Sequence, residues 1–418
     1  MYKLHLNCRA CGYGPPQNSS YFKSGKSAEQ LVSVLDLGVQ PLPNAFVKTH
    51  EPRPGHYPIE LMVCPRCFLG QLSVVVDPET LYAKYAYVTS PSATMADHFD
   101  KLFDMLNFHQ PLHSVVEIGS NDGRLLAHFK TRGATTVCGV DPARNLAAIA
   151  NTAGIPTEPV LFDKSVAELL RKRMPPIDLI LARHVFCHID DWKSFVQSLD
   201  ILSSPQTIVC LEMPWANDTV RNTEWDQVYA EHLSYFTIRA LDHLLRGTKF
   251  HMHHISHYPI HGGTIAVVLR HNECPDAPSS SVMEMWKEEK CDVDEWRAFA
   301  QRARDQMSNL KTLVRDLRSQ GKNVVGYGAA AKSTVWINSC GFTNRDISGV
   351  YDYTPQKLYT SVPGTQIPVV PEGGFYVDNP DYAILWAWNY QDEVMRKQVK
   401  WFSEGGKFII PVPEVKIL

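Results

Sequence analysis

Ser114-Val115-Val116-Glu117-Ile118-Gly119-Ser120-Asn121-Asp122-Gly123-Arg124-Leu125-Leu126 reads as a buried strand that runs into a tight glycine turn and then a helix. Val115, Val116 and Ile118 form the short β-branched run expected of a parallel strand covered on both faces. Gly119 and Gly123 allow the backbone to approach a ligand more closely than side chains would, and the following helix points free N–H groups at it. The next β-like run, Thr136-Val137-Cys138-Gly139-Val140-Asp141, ends in a carboxylate at the ligand-binding edge of a doubly wound sheet. Asp141 follows the turn by about 20 residues, the interval at which a carboxylate meets the hydroxyls of an adenosine ribose.

Dinucleotides and S-adenosylmethionine both use this frame, and the turn's composition separates them. A pyrophosphate calls for G-x-G-x-x-G, but Asn121 stands for the middle glycine and Arg124 for the last. Glu117 and Asp122 add negative charge, which repels phosphate and suits an ammonium and a sulfonium. The expected cofactor is S-adenosylmethionine, held by Glu117, Gly119, Asn121, Asp122, Gly123 and Asp141.

Upstream, Cys8-Arg9-Ala10-Cys11 and Cys64-Pro65-Arg66-Cys67 are two C-x-x-C knuckles. Thiolates two residues apart on a turn reach one tetrahedral zinc, and two such pairs close a four-cysteine structural site of Cys8, Cys11, Cys64 and Cys67. The long gap between them adds little to the entropy of closure. No ligand position is left open for catalysis.

Length and charge set the frame for the rest. A chain of 418 residues has room for two or three cored domains, expected at 1–80 (zinc), 81–275 (cofactor) and 276–418 (helical linker and a smaller α/β unit). A formal net charge of −3 argues against a nucleic-acid partner. No stretch is long and apolar enough for a membrane span or a secretion signal, so the expected location is cytoplasmic, where ten cysteines mean metal ligands and free thiols.

Further strands are expected at 177–182, leading into His184 and His188, and at 207–211. Tyr229-Ala230-Glu231-His232 places a phenol, a carboxylate and an imidazole within four residues. A helix would put Tyr229 and His232 on one face, and a strand would pair Tyr229 with Glu231. The imidazole can take a proton near neutral pH, with the other two groups orienting it or holding substrate oxygens. His261-Gly262-Gly263 opens another strand, and residues 282–319 read as one or two long helices. A second strand–turn–helix unit, Val324-Val325-Gly326-Tyr327-Gly328-Ala329-Ala330-Ala331-Lys332, carries a lysine where the first carries carboxylates, which suits an anion.

This ordered set resembles the sugar C-methyltransferases that act on nucleotide-linked 4-keto-deoxysugars in antibiotic pathways. The similarity includes both knuckles, Tyr85-Ala86-Tyr87 with Ser90 and Ser92, residues 117–123, Tyr229 with Glu231-His232, His261-Gly262-Gly263, Gly326-Tyr327-Gly328-Ala329 with Lys332, and Pro363-Gly364-Thr365. It implies an N-terminal zinc domain, a central Rossmann-like methyltransferase domain and a smaller C-terminal Rossmann-like domain. It also implies His232 as the general base, with Tyr229 and Glu231 near the substrate, and Tyr229 or the strand-end His188 could then donate to an enolate oxygen. Tyr85, Tyr87, Ser90, His261, Gly262, Tyr327 and Lys332 would then face a small-molecule acceptor, a nucleotide-linked ketosugar methylated at C3. The chain departs from the family's pattern at Ala230, where a second histidine is usual, at Ala266, where an arginine is usual, and at Ser333, where glycine is usual. The competing readings are methylation of a non-sugar keto metabolite, a zinc-containing RNA methyltransferase, and a non-catalytic binding protein.

Overall fold

The computed structural model describes residues 2–15, 30–48, 51, 55–82, 85, 88 and 93–418, so Tyr87 and Ser90 lie outside the described residues. Ser114–Ile118 is wholly buried, as its β-branched run requires, and occupies an interior position in a seven-stranded sheet. Thr136–Val140 and Thr157–Glu158 pair in parallel on one side of it, and Leu179–Arg183 and Ile208–Pro214 on the other. The chain thus changes direction across the sheet between Ser114–Ile118 and Leu179–Arg183, which opens a crevice at their carboxyl ends. Thr264–His271 and Phe250–Tyr258 extend the far edge as an antiparallel hairpin.

Helices cover both faces. Ala93–His109 lays Phe99, Leu102, Phe103 and Leu106 on Val115, Leu179 and Leu181, as its helix-spaced apolar positions foretell. On the opposite face Leu170, Trp192, Phe195 and Leu199 meet Val116, Ile118 and Ile180. Asp163 and Asp191 cap the helices Lys164–Arg173 and Trp192–Leu202 by accepting from Val166 N and Ser194 N.

The N-terminal part is an antiparallel sheet of Val32–Pro41, His56–Val63 and Gly70–Leu72, completed by Ser234–Tyr235 from the middle of the sequence. Tyr2–Leu4 pairs separately with Val74–Val76. The stretch read as one or two long helices holds a short helix, Ser280–Glu288, and a long one, Val293–Ser319. Trp296 of the latter lies on Gly70, where an added Cβ would meet the indole at 2.8 Å. One apolar core therefore runs from Leu35 and Leu61 through Trp296, Phe299 and Leu310 to Trp336 and Ile384. Beyond it stands a six-stranded sheet: Val350–Asp352, Val324–Tyr327, Tyr382–Leu385 and Lys407–Ile410 run parallel at its centre, Val369–Pro371 pairs in parallel at one edge, and the antiparallel Lys416–Ile417 lies at the other. Among the described residues no helix is long and apolar enough to cross a membrane.

Candidate active site

The carboxyl ends of the central strands open into a cleft of about 1020 Å³, whose far wall comes from the C-terminal sheet. Gly119, Asn121 and Asp141 line its floor. Gly119 has φ +72°, and a Cβ there would lie 2.0 Å from Val185, so only glycine fits. Asp141 accepts from Asn121 N at 2.7 Å and Ala143 N at 2.8 Å, pinning the turn while its carboxylate edges the cleft. Glu117 is buried one layer below, with one oxygen unpartnered; burial pushes it up to about 8, against the pull of Arg183. Asp122 and Gly123 shape the turn behind the lining residues.

The Tyr229–His232 segment is neither helix nor strand. It is a tight turn closed by His232 N on Tyr229 O at 2.9 Å. His232 Nδ1 lies 2.8 Å from the Gln227 carbonyl, which only accepts, so this nitrogen carries the proton. Nε2 is left with its lone pair, 2.8 Å from the Tyr229 hydroxyl. Burial, then His188, holds His232 well below the ordinary imidazole range, so the ring is a neutral base at pH 7.

His188 ends the 3₁₀ turn Phe186–His188, and its ring stacks 5.2 Å from that of His232 and 6.0 Å from that of Tyr82. Burial pushes it down to about 3, and Nε2 has no partner. Glu231 points away from the imidazoles: it accepts from Tyr85 Oη at 2.7 Å and from Asn44 Nδ2 at 2.8 and 3.0 Å, with Tyr85 between it and the cleft. Burial raises its carboxyl to about 7 despite those donors. Ala230 is buried in the shared core.

His261 lines the cleft with its ring 4.8 Å from that of His184. Gly262 instead packs on Glu224, where a Cβ would meet the carboxylate at 2.2 Å. From the opposite wall come Tyr327, bonded to Glu372 and Gln398, and Lys332, whose Nζ sits 3.8 Å from the Trp388 ring centroid and 3.4 Å from Asn389 Oδ1.

Sequence reasoning missed Asn44, Gln227 and Arg183. Arg183 and Ala266 flank Glu212 on adjacent strands, and Arg183 brings a guanidinium to 3.7 Å of that carboxylate, on the side away from Ala266. Burial alone would raise Glu212, but His98 at 2.7 Å, His184 and Arg183 hold it below the ordinary carboxylate range.

The four knuckle thiols converge, with Cys8 to Cys67 at 3.4 Å, Cys11 to Cys64 at 3.5 Å, and all sulfurs within 4.8 Å of one another. Tetrahedral zinc with bonds of ~2.3 Å separates its sulfurs by roughly 3.8 Å, so this donor set fits a closed structural site.

A parallel sheet with a glycine turn, an aspartate at the end of the next strand and a buried neutral imidazole across the same cleft defines the class as an S-adenosylmethionine-dependent methyltransferase. Family models agree in chain order: "Putative zinc binding domain" over residues 27–82, "Methyltransferase domain" over 90–255 and "C-methyltransferase C-terminal domain" over 259–413. The chain is 30% identical to C-methyltransferase NovU of Streptomyces niveus, over 98% of this chain and 96% of that protein. It belongs to the S-adenosylmethionine-dependent C-methyltransferases. Similar solved structures include a methyltransferase from Mesorhizobium loti, 17% identical, covering 40% of this chain and 96% of that one at a TM-score of 0.32. Another is magnesium protoporphyrin IX methyltransferase from Synechocystis with bound SAH, 13% identical, covering 43% and 83% at a TM-score of 0.34.

Proposed function

We propose that this enzyme methylates the carbon beside a ketone, with C3 of a nucleotide-linked 4-keto-deoxysugar as the acceptor position and His232 as the base. The observation that carries this reading is the fixed tautomer of His232: Gln227 O holds the Nδ1 proton, so Nε2 keeps its lone pair, which accepts from the Tyr229 hydroxyl. A neutral, desolvated imidazole can remove a proton next to a carbonyl without first losing one of its own. As that proton moves to Nε2, the ketone oxygen gains charge, and Tyr229 or His188 can donate to it. The cofactor, when bound, supplies a sulfonium methyl group to the enolate carbon and leaves as S-adenosylhomocysteine. Glu231 positions Tyr85 on the acceptor side of the cleft.

Gly119, Asn121 and Asp141 are assigned to the cofactor, with Asp122 supplying negative charge and Glu117 a carboxyl that burial holds protonated at neutral pH beneath the turn. Tyr85, His261, Tyr327 and Lys332 are assigned to the acceptor, and Lys332 is the cation suited to its phosphates. Calorimetric titration with thymidine diphosphate in the presence of S-adenosylhomocysteine tests the acceptor class. Binding that is lost in Lys332→Ala supports a nucleotide sugar. No binding, with the cofactor product still bound, shifts the acceptor to a keto metabolite without a diphosphate.

A further inference from the structure

We infer that Arg9, inside the first cysteine knuckle, is a positioning residue for the histidine pair His188 and His232, and so couples the zinc knuckle to the reaction. The inference rests on the reading of those histidines as the acid–base pair. Arg9's side chain is fully buried, at 0% exposure. Burying a guanidinium costs less for each N–H that finds an acceptor; Nε and Nη1 find theirs, while Nη2 has none. Its Nε donates to Asp190 Oδ1 at 3.0 Å, and Asp190 follows His188 by two residues. Its Nη1 donates to Leu233 O at 3.2 Å, the carbonyl next after His232, and to Leu72 O at 2.9 Å.

One side chain therefore ties the turn carrying His188 to the backbone carrying His232. The two rings lie 5.2 Å apart; His232 is held through Gln227 O and the Tyr229 hydroxyl, whereas His188 Nε2 has no hydrogen-bond partner, so the placement of His188 against His232 depends on the turn that bears it. Arg9 is itself immobilised. Its backbone N donates to Gln71 Oε1 at 2.9 Å, Gln71 Nε2 donates to Asn7 O at 2.9 Å, and Cys8 and Cys11 on either side enter the thiol cluster. Lys3 at 2.6 Å and His5 at 3.1 Å converge on the same Asp190 carboxylate, so the N-terminal segment grips this turn at three points. The planar fork of arginine reaches the carboxylate and the carbonyls together, which the single ammonium of lysine cannot do.

The test uses the full-length protein with its zinc content measured, comparing wild type with Arg9→Gln and Arg9→Lys. The readouts are the imidazole NMR signals of His188 and His232 at one fixed pH with S-adenosylhomocysteine bound, the affinity for that product, and kcat and KM for carbon methylation. In zinc-replete Arg9→Gln both imidazole signals are expected to move and kcat to fall at least about tenfold, while product affinity changes less than about twofold. Arg9→Lys should recover part of the rate. A lower thermal midpoint with wild-type imidazole signals and wild-type kcat would overturn the inference. If Arg9→Gln loses its zinc or fails to fold, Asp190→Asn decides instead, because it removes Arg9's carboxylate partner without touching the knuckle; unmoved signals there contradict the inference. Failure of the acid–base reading is seen separately, as a His232→Gln enzyme that methylates at the wild-type rate, and the imidazole signals still report whether Arg9 holds the rings.

Discussion

The two strand–turn–helix units of this chain share a backbone device and differ in charge. In the first, Asp141 accepts from Asn121 N and Ala143 N; in the second, Asp352 accepts from Ala329 N and Thr354 N, both at 2.6 Å. Each aspartate stands at the carboxyl end of the second strand of its unit, Asp141 just after Thr136–Val140 and Asp352 as the last residue of Val350–Asp352, and pins the turn after the first. Glu117 and Asp122 surround the first turn. Lys332 and the buried Lys357, whose Nζ donates to Ala329 O at 2.8 Å, attend the second. The same hydrogen-bonding frame thus stands in surroundings of opposite charge, with acidic groups beside the first turn and two lysines beside the second.

Removing the zinc gives the largest expected effect. The core that begins on the N-terminal sheet continues to Trp336 and Ile384 beside the second turn, so chelation should cost more than about 3 kcal/mol of stability and bring down the second unit with the knuckles. Thermal unfolding after verified metal loss checks this, and an unchanged midpoint would break the link. Next, the two turns should differ in tolerance. Gly119→Ala forces a Cβ to 2.0 Å from Val185 and should reduce S-adenosylhomocysteine affinity at least about 100-fold. In Gly328→Ala the nearest atom is Ala387 Cβ at 3.4 Å, leaving mainly the strain of φ +89°, about 1–2 kcal/mol on unfolding. Equal effects in denaturant melts and cofactor titrations would mean that the turns are not distinguished by packing.

Lys332→Ala sharpens the contrast in charge: KM for an anionic acceptor should rise about tenfold and lose much of its salt dependence, with product affinity unchanged. The smallest effect is on pH. His232 and His188 are held below 6.5, so between pH 6.5 and the folded-state values, about 3 for His188, the unfolded chain binds protons that the folded one refuses. Stability from these two groups therefore falls as pH drops through that window, while the base remains unprotonated. Glu231, raised to about 7, has the opposite sign: its contribution falls as pH rises from about 4.5 to 7. A kcat/KM profile with its acid limb at or above 6.5 would contradict the burial of His232.

The two parallel cores were legible in the sequence because buried strands and amphipathic helices advertise themselves by period, and the glycine turns by composition. The N-terminal sheet was not: 32–41 and 56–63 sit among prolines and turn residues and read as irregular, and Ser234–Tyr235 is too short to show a period. The residues Tyr229, Glu231 and His232 were legible, but their directions were not, because a turn obeys neither the helical nor the strand rule. Asn44 reaches Glu231 across 187 residues of sequence and Arg9 reaches Asp190 across 181, and no local pattern records such pairings.

The most direct test of the chemistry follows proton exchange in deuterated water. A thymidine-diphosphate-linked 4-keto-deoxysugar is incubated with enzyme and S-adenosylhomocysteine, so that methyl transfer cannot occur. With His232 as the base, wild type should exchange the C3 proton for deuterium while His232→Gln, with intact product affinity, does not. Equal exchange by the two proteins would contradict the assignment.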